Sequence, residues 1–321
     1  MMIFRRLEDI HSSFGPSIAS VGNFDGVHRA HARVLEEIVS RARRQKVTSI
    51  AVTFEPHPMR ILRAGSDLKL LTPIAEKLRL LEQSQLDAVL VLPFTPEMSL
   101  MTAEEFARKI LSERLKAEEV HEGYNFRFGH KAAGDVTLLS DLGKKFGFKV
   151  VVYQEMALRG ETVSSTRIRE LVRAGQVGRA RALLGRPFSL RSTPGKGRGY
   201  GTKYTVPTIN LSHYEELVPG DGVYITRTQV GKECFDSVTN VGKRPTFGAD
   251  SFAIESHLLD FHPLELTDET ELQLFFLARV RDEIRFESID ALREQIGRDV
   301  QKANHYFRLM RRPAASVEAD S

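Results

Sequence analysis

The chain has 321 residues, a formal net charge of +4 with both signs interspersed, and 41% hydrophobic residues. That length suggests about two domains, each able to bury its own core. A single cysteine excludes an internal disulfide framework, and so mild a basic excess argues against nucleic acid, for which lysines and arginines would cluster. No apolar run is long enough to span a bilayer, and the N-terminus lacks the apolar core of a signal peptide. The expectation is a cytoplasmic protein acting on small phosphorylated molecules, with no membrane partner.

From residue 17 to about 184, strand-like apolar runs alternate with helical patterns. The spacing predicts strands at Ser17–Val21, Thr48–Phe54, Asp87–Leu92, Glu119–Gly123 and Lys149–Tyr153, with helices starting near His28, Pro73, Thr102 and Asp135. Such alternation argues for a doubly wound parallel sheet, whose ligands bind beyond the carboxyl ends of its strands. The first of these strands leads into Val21-Gly22-Asn23-Phe24-Asp25-Gly26-Val27-His28-Arg29-Ala30-His31. Ala30, Val34, Leu35, Ile38, Val39 and Ala42 then recur at helical spacing. A strand, a Gly-containing turn and a helix N-terminus together favour a bound phosphate, because free N–H groups and the helix dipole point at the anion. His28 and His31, three residues apart, lie on one helix face. As zinc ligands the pair lacks company: a structural zinc site wants four ligands, usually with thiolates, and Cys234 is far away in sequence.

The second strand ends in Thr53-Phe54-Glu55-Pro56-His57-Pro58, where His57 reads by itself as a polar turn residue. The fourth ends in Gly123-Tyr124-Asn125-Phe126-Arg127-Phe128-Gly129, which offers flat rings and polar groups to hold a ring system. Asp135 can cap the next helix or serve as a ligand. In Ser164-Ser165-Thr166-Arg167-Ile168-Arg169, hydroxyls sit at a helix N-terminus and Arg167 can fork onto a phosphate. Ile168, Leu171 and Val172 make the apolar stripe of that helix and leave the arginines on other faces.

Near Leu184-Gly185-Arg186-Pro187 the helical period stops. Short alternating segments follow at Phe188–Leu190, Gly222–Val230, Glu233–Asn240, Phe252–Phe261 and Glu271–Arg281, the pattern of a small antiparallel β-barrel. A last helix has Ser288 as N-cap and Ile289, Leu292, Ile296, Val300 and Ala303 as its core stripe, and residues beyond about Arg312 should be disordered. Gly195-Lys196-Gly197-Arg198-Gly199-Tyr200-Gly201 is a basic loop able to wrap phosphates through backbone N–H groups. Val206-Pro207-Thr208-Ile209-Asn210 supplies a hydroxyl and an amide on a strand. Glu255, taken alone, is a strand residue facing water, with His257 on the same side.

Together these segments carry a resemblance. Gly22-Asn23-Phe24-Asp25-Gly26-Val27-His28, followed by His31, resembles the H-x-G-H signature of the nucleotidyltransferase superfamily. In detail it is similar to the bacterial bifunctional riboflavin kinase/FMN adenylyltransferase family. The Thr53–Pro58 run, the Asn125–Gly129 turn and Ser164–Arg169 resemble that family's site-lining, flavin-binding and phosphate-loop segments. Pro207-Thr208-Ile209-Asn210 resembles the P-T-x-N signature of riboflavin kinases, and Asn240–Gly248 and Glu255–Phe261 resemble two further kinase runs. The resemblance spans roughly residues 15 to 308.

It implies a Rossmann-like nucleotidyltransferase domain (1–185), a kinase β-barrel with a C-terminal helix (186–310) and a tail (311–321). It implies that riboflavin is phosphorylated to FMN in the barrel and FMN adenylylated to FAD in the α/β domain, with ATP and Mg²⁺. By the resemblance, His28, His31 and Arg167 serve adenylyl transfer and Glu255 is the base of the kinase. Gly22, Phe24, Asp25, Ser164, Ser165 and Thr166 would bind one ATP. Gly195, Gly197, Gly199 and Asn210 would bind the other, Thr208 would hold Mg²⁺, and Asn125, Phe126 and Phe128 would hold the flavin. Ala30 stands where the family has glycine between the histidines, so a methyl group faces the nucleotide. A flavin-binding protein with only its kinase half active is therefore the alternative. An H-x-G-H enzyme acting on pantetheine phosphate or a nicotinate mononucleotide would not need the barrel.

Overall fold

Val, Ile and Ala fill the middle of the first strands on both faces, so these strands must be covered on both sides. The computed structural model meets that demand with a six-stranded parallel sheet. It describes residues 1–195 apart from 64, 208–243 apart from 213, and 252–311 apart from 263 and 265. The chain forms two units, Met1–Arg167 and Ile168–Ser321.

In the first unit, β1 (Met2–Phe4) precedes β2 (Ser17–Val21). After β2 come α1 (Arg29–Gln45), β3 (Thr48–Glu55), the short α2 (Pro58–Leu62), α3 (Ile74–Gln83) and β4 (Ala88–Pro93). A turn of helix, α4 (Pro96–Ser99), leads to α5 (Ala103–Glu105), which runs on into a π-helix over Phe106–Arg114. Then follow β5 (Ala117–Gly123), α6 (Val136–Phe146), β6 (Lys149–Tyr153) and a small hairpin of β7 (Ala157–Leu158) and β8 (Glu161–Thr162). The sheet order is β1-β4-β3-β2-β5-β6, every pair parallel. Leu35, Ile38 and Val39 of α1 and Leu78 and Leu81 of α3 cover one face with Ile18, Ala51 and Val89. The π-helix and α6 cover the other through Phe106, Ile110, Leu111, Leu139 and Leu142. The strands after β2 extend first to one side and then, from β5, to the other. The switch point thus lies between β2 and β5, where a crevice opens at the strand ends.

All five expected strands and four expected helices of this half form, with bounds shifted by a few residues at most. The edge strand β1 went unpredicted, because three half-exposed residues carry no readable period. Asp135 caps α6, its Oδ1 accepting from Leu138 N–H at 2.9 Å, which settles its local role as structural.

The second unit takes in most of α7 (Ser165–Arg173), followed by α8 (Val177–Leu184) and six strands. They are β9 (Phe188–Ser192), β10 (Thr208–Asn210), β11 (Gly222–Val230), β12 (Glu233–Lys243), β13 (Phe252–Leu258) and β14 (Leu272–Arg281). Their order, β10-β13-β12-β11-β14-β9, is antiparallel throughout. A bridge between Pro194 and Leu211, with Gly195 N–H donating to Asn210 C=O at 2.8 Å, joins the two ends of that order towards a barrel. One face packs Val223, Ile225, Val238 and Leu277 against Ala303 and Phe307 of α9 (Ile289–Arg311). The other holds Thr226, Thr228, Ser237, Thr239 and Ser256, all fully buried and hydrogen-bonded to one another at 2.6–3.0 Å.

One expectation needs correction here. The α9 stripe is not core throughout: Ile289 is 64% exposed and Leu292 37%, because the helix meets the sheet only from about Asp299 onward. In α7, Arg169 is buried, as are Ile168, Leu171 and Val172 of the apolar stripe. Ser288 does cap α9, its Oγ accepting from Ala291 N–H. The tail from 312 lies outside the described residues.

Candidate active sites

The turn after β2 is held in an unusual backbone shape. Phe24, Gly26 and Val27 all have positive φ, at 46°, 84° and 36°. For a β-branched valine that is a strained conformation, found where the surroundings over-determine it. Asp25 supplies the determination. Its carboxylate, 1% exposed, accepts from Leu71 N–H (3.1 Å), Thr72 N–H (2.9 Å) and the Thr72 hydroxyl (3.2 Å). Gly26 N–H in turn donates to Thr72 Oγ1. Asp25 therefore builds the turn with its side chain; nothing in this geometry requires it to touch nucleotide.

His28 caps α1, its Nδ1 accepting from His31 N–H at 3.4 Å. A neutral ring with an accepting Nδ1 carries its proton on Nε2. The two imidazoles stack at 3.6 Å between centroids, and the Phe24 ring meets His31 edge-on at 5.1 Å. Burial, His28 and Lys77 hold the His31 ring well below the usual histidine range. His31 is thus a neutral ring beside the positive end of a helix. Ala30 lies in the first turn of this helix, partly buried.

The phosphate-loop segment reaches this turn directly. Ser165 Oγ donates to Asp25 C=O at 2.8 Å, although 140 residues separate them. Ser164 Oγ accepts from Arg167 N–H, and Arg167 Nε donates to Glu161 Oε2 at 3.1 Å. The structure thus brings the Gly22–His31 turn and the Ser164–Arg167 segment together. Thr166 is exposed beside them. Glu161, the partner of Arg167, was not singled out by sequence.

A cavity of about 380 Å³ lies at the switch point. Val21, Gly22 and Asn23 line one end, and Asn125, Phe126 and Phe128 line the other. Between them its walls are apolar, with Phe54, Phe94, Met98 and Met101 among the lining residues. The rings of Phe126 and Phe128 stack at 5.3 Å. His57 is not among the lining residues; buried, it caps α2 through Nδ1 and Met59 N–H. The methionine and phenylalanine walls gave no sequence signal, because apolar residues near strand ends look like core.

In the second unit, strand register assembles the other set. Asn210 of β10 pairs with Glu255 of β13, which pairs with Asn240 of β12, so all three share one face. Thr208 and His257, paired two residues along, share it too. Register thus sets Asn240, the first residue of the Asn240–Gly248 run, level with Glu255. Gly195 packs so closely on Leu211 that a Cβ there would lie 2.6 Å from its carbonyl oxygen. Gly197 and Gly199 lie outside the described residues, as does the Arg244–Gly248 run.

Comparison with known proteins meets this geometry at both ends of the chain. The FAD synthetase family matches residues 11–167 and the riboflavin kinase family matches residues 184–307. A bifunctional riboflavin kinase/FMN adenylyltransferase from Pseudomonas fluorescens is 33% identical over 94% of this chain and 97% of its own. The chain belongs to the bifunctional riboflavin kinase/FMN adenylyltransferase family. Another member, from Buchnera aphidicola of Schizaphis graminum, is 30% identical and aligned over its whole length, covering 97% of this chain. A crystal structure described as a macrolide-efflux protein from Streptococcus pneumoniae superposes with a TM-score of 0.85 at 25% identity, over 94% of this chain and 98% of its own. Among the described residues no helix is long and apolar enough to cross a membrane.

Proposed function

We infer that this family member makes FAD from riboflavin in two ATP-dependent steps, one on each unit. The observation that carries the reading is the Ser165–Asp25 hydrogen bond, which joins the phosphate-loop segment to the histidine turn beside a flavin-sized apolar cavity.

In the first unit the isoalloxazine of FMN enters the cavity, with Phe126 and Phe128 as its aromatic platform and Asn125 as its polar contact. The FMN phosphate attacks the α-phosphorus of ATP, a new P–O bond forms, the α–β bridge breaks, and pyrophosphate leaves. The nucleophile is already an anion, so no general base is needed. What the reaction needs is alignment and compensation of charge. The His28 and His31 rings and the N-terminus of α1 with its dipole supply it. Arg167 joins by exchanging Glu161 for phosphate, a trade between two anions for one guanidinium.

In the second unit, Glu255 takes the proton from the 5′-hydroxyl of riboflavin as that oxygen attacks the γ-phosphorus of ATP and ADP leaves. Thr208, Asn210 and Glu255 present only oxygen donors suited to a metal on one face, a set that fits Mg²⁺. Bound there with ATP, Mg²⁺ would neutralise phosphate charge, and Thr208 would hold it.

The test is to feed the intact protein riboflavin or FMN with ATP and Mg²⁺ and separate the flavins by chromatography. His28→Ala should lower FAD formation by about a hundredfold to a thousandfold while FMN formation survives. Glu255→Ala should do the reverse. Equal loss of both activities in either variant would sink the assignment of separate sites.

A further inference from the structure

Lysine is almost never fully buried unless a partner compensates it, because an ammonium ion is costly to take out of water. Lys77, in the middle of α3, is 1% exposed. Its ammonium has three N–H donors and, among the described residues, one acceptor: the Thr53 hydroxyl at 3.3 Å. Thr53, itself fully buried on β3, donates to Asn23 C=O in the histidine turn at 3.2 Å. The lysine is thus tied, through a single hydroxyl, to the backbone that shapes the phosphate site.

We propose that Lys77 is a positioning residue for adenylyl transfer, a fixed buried cation whose charge acts on His31 and whose ammonium braces Thr53 and the Asn23 turn. The proposal rests on the two-site reading above.

The charged groups around Lys77 come from each neighbouring segment. Asp25 faces it from the turn after β2 and Glu55 from the end of β3, both favouring the ammonium form. His31 faces it from α1 and feels it as a repelling charge, together with His28. Burial lowers the Lys77 ammonium from its ordinary range, and the two carboxylates oppose that shift. One carboxylate oxygen, Glu55 Oε2, is buried with no hydrogen-bond partner among the described residues. The positive charge of the site therefore resides on a residue that cannot leave it, and His31 stays a neutral donor. A neutral imidazole keeps one ring nitrogen free of a proton, as His31 Nδ1 is buried without a partner.

The experiment uses the full chain. Ring signals of its histidines are followed by NMR against pH, with His31 assigned by a His31→Gln variant. In the parent protein His31 should titrate well below the ordinary histidine midpoint; titration at or above that midpoint overturns the proposal without any variant of Lys77. In Lys77→Met the midpoint should rise, and adenylylation of FMN should fall at least tenfold with its acid limb moved to higher pH. FMN formation by the same molecules should hold, which reports that the chain is intact. Thr53→Val, which removes the brace and keeps the cation, should lower adenylylation and leave the His31 midpoint in place. An unmoved His31 midpoint and acid limb in Lys77→Met would refute the electrostatic role. If the parent makes no FAD at all, the functional reading fails, while the His31 titration still decides what Lys77 does.

Discussion

Single residues in this protein owe their behaviour to what surrounds them, and Glu122 shows how far that goes. Read along the chain it is one of three acidic residues in a seven-residue strand of mixed polarity. In the fold it is 3% exposed, and its Oε1 accepts from Val21 N–H at 2.6 Å where β2 enters the histidine turn. Burial pushes its carboxyl well above the usual carboxylate range, and the Val21 bond only partly opposes that. Because the folded pKa lies above the unfolded one, the neutral form stabilises the fold fully below the unfolded pKa. That contribution is lost as pH rises through the folded pKa. Glu122→Gln, which keeps the acceptor and cannot ionise, should be more stable than the parent at pH 8 and no more stable near pH 4. The slope between them should be up to about 1.4 kcal/mol per pH unit while the parent titrates. Denaturant unfolding of the full chain at several pH values reads this directly, and parallel curves would exclude a buried, neutral Glu122. The histidines, Asp25 and the Ser164–Arg167 run were legible in sequence because their spacing and chemistry are local. Glu122, Lys77 and Glu161 were not, because each matters through its partners in the fold rather than through a local pattern.

At the scale of elements, periodicity served well wherever one period governs a segment. β2, β6 and β11 have the bounds that alternation and turn residues imply, and α1 begins one residue after its His28 cap. It failed where both faces of a segment are covered. Thr226 and Thr228 alternate with Ile225 and Arg227, so the pattern of β11 turns its hydroxyls towards water. The fold instead buries them in a network with Ser237, Thr239 and Ser256, which satisfies each hydroxyl with another. Thr226 bonds both Ser237 (2.8 Å) and Thr239 (2.6 Å). Replacing it by valine keeps the shape and strands two neighbours, so Thr226→Val should destabilise the second unit by about 1–3 kcal/mol. Thr226→Ser should cost less. A shift in the urea midpoint for loss of FMN-forming activity measures it, and an unshifted midpoint for Thr226→Val would mean the network carries no net stability. The α9 stripe erred the other way. Its apolar spacing is regular from Ile289 to Ala303, but the sheet is reached only by the later residues.

For the whole molecule, the chemistry divides with the chain. FMN, the product of the kinase step, is the substrate of the adenylyl transfer, and the FAD synthetase and riboflavin kinase matches cover separate stretches of the chain. Two dead-end variants should therefore complement each other. Equal amounts of His28→Ala and Glu255→Ala, mixed with riboflavin, ATP and Mg²⁺, should yield FAD after a lag that shortens as total protein rises. Each alone should stop at FMN or at riboflavin. Mixed protein that makes no FAD would mean that FMN does not pass between molecules. The sequence by itself determined the class of both units and the order of their strands and helices, and it singled out the histidine turn and the Ser164–Arg167 run. It could do so because strand and helix periods, glycine turns and capping residues act over a few positions. Only the tertiary structure decided that Ser165 grips the Asp25 carbonyl, that Glu255 sits level with Asn210 and Asn240, and that the buried Lys77 bonds the Thr53 hydroxyl. Those facts depend on which strands become neighbours and in what register, and the free energy of that choice comes from contacts between segments far apart along the chain.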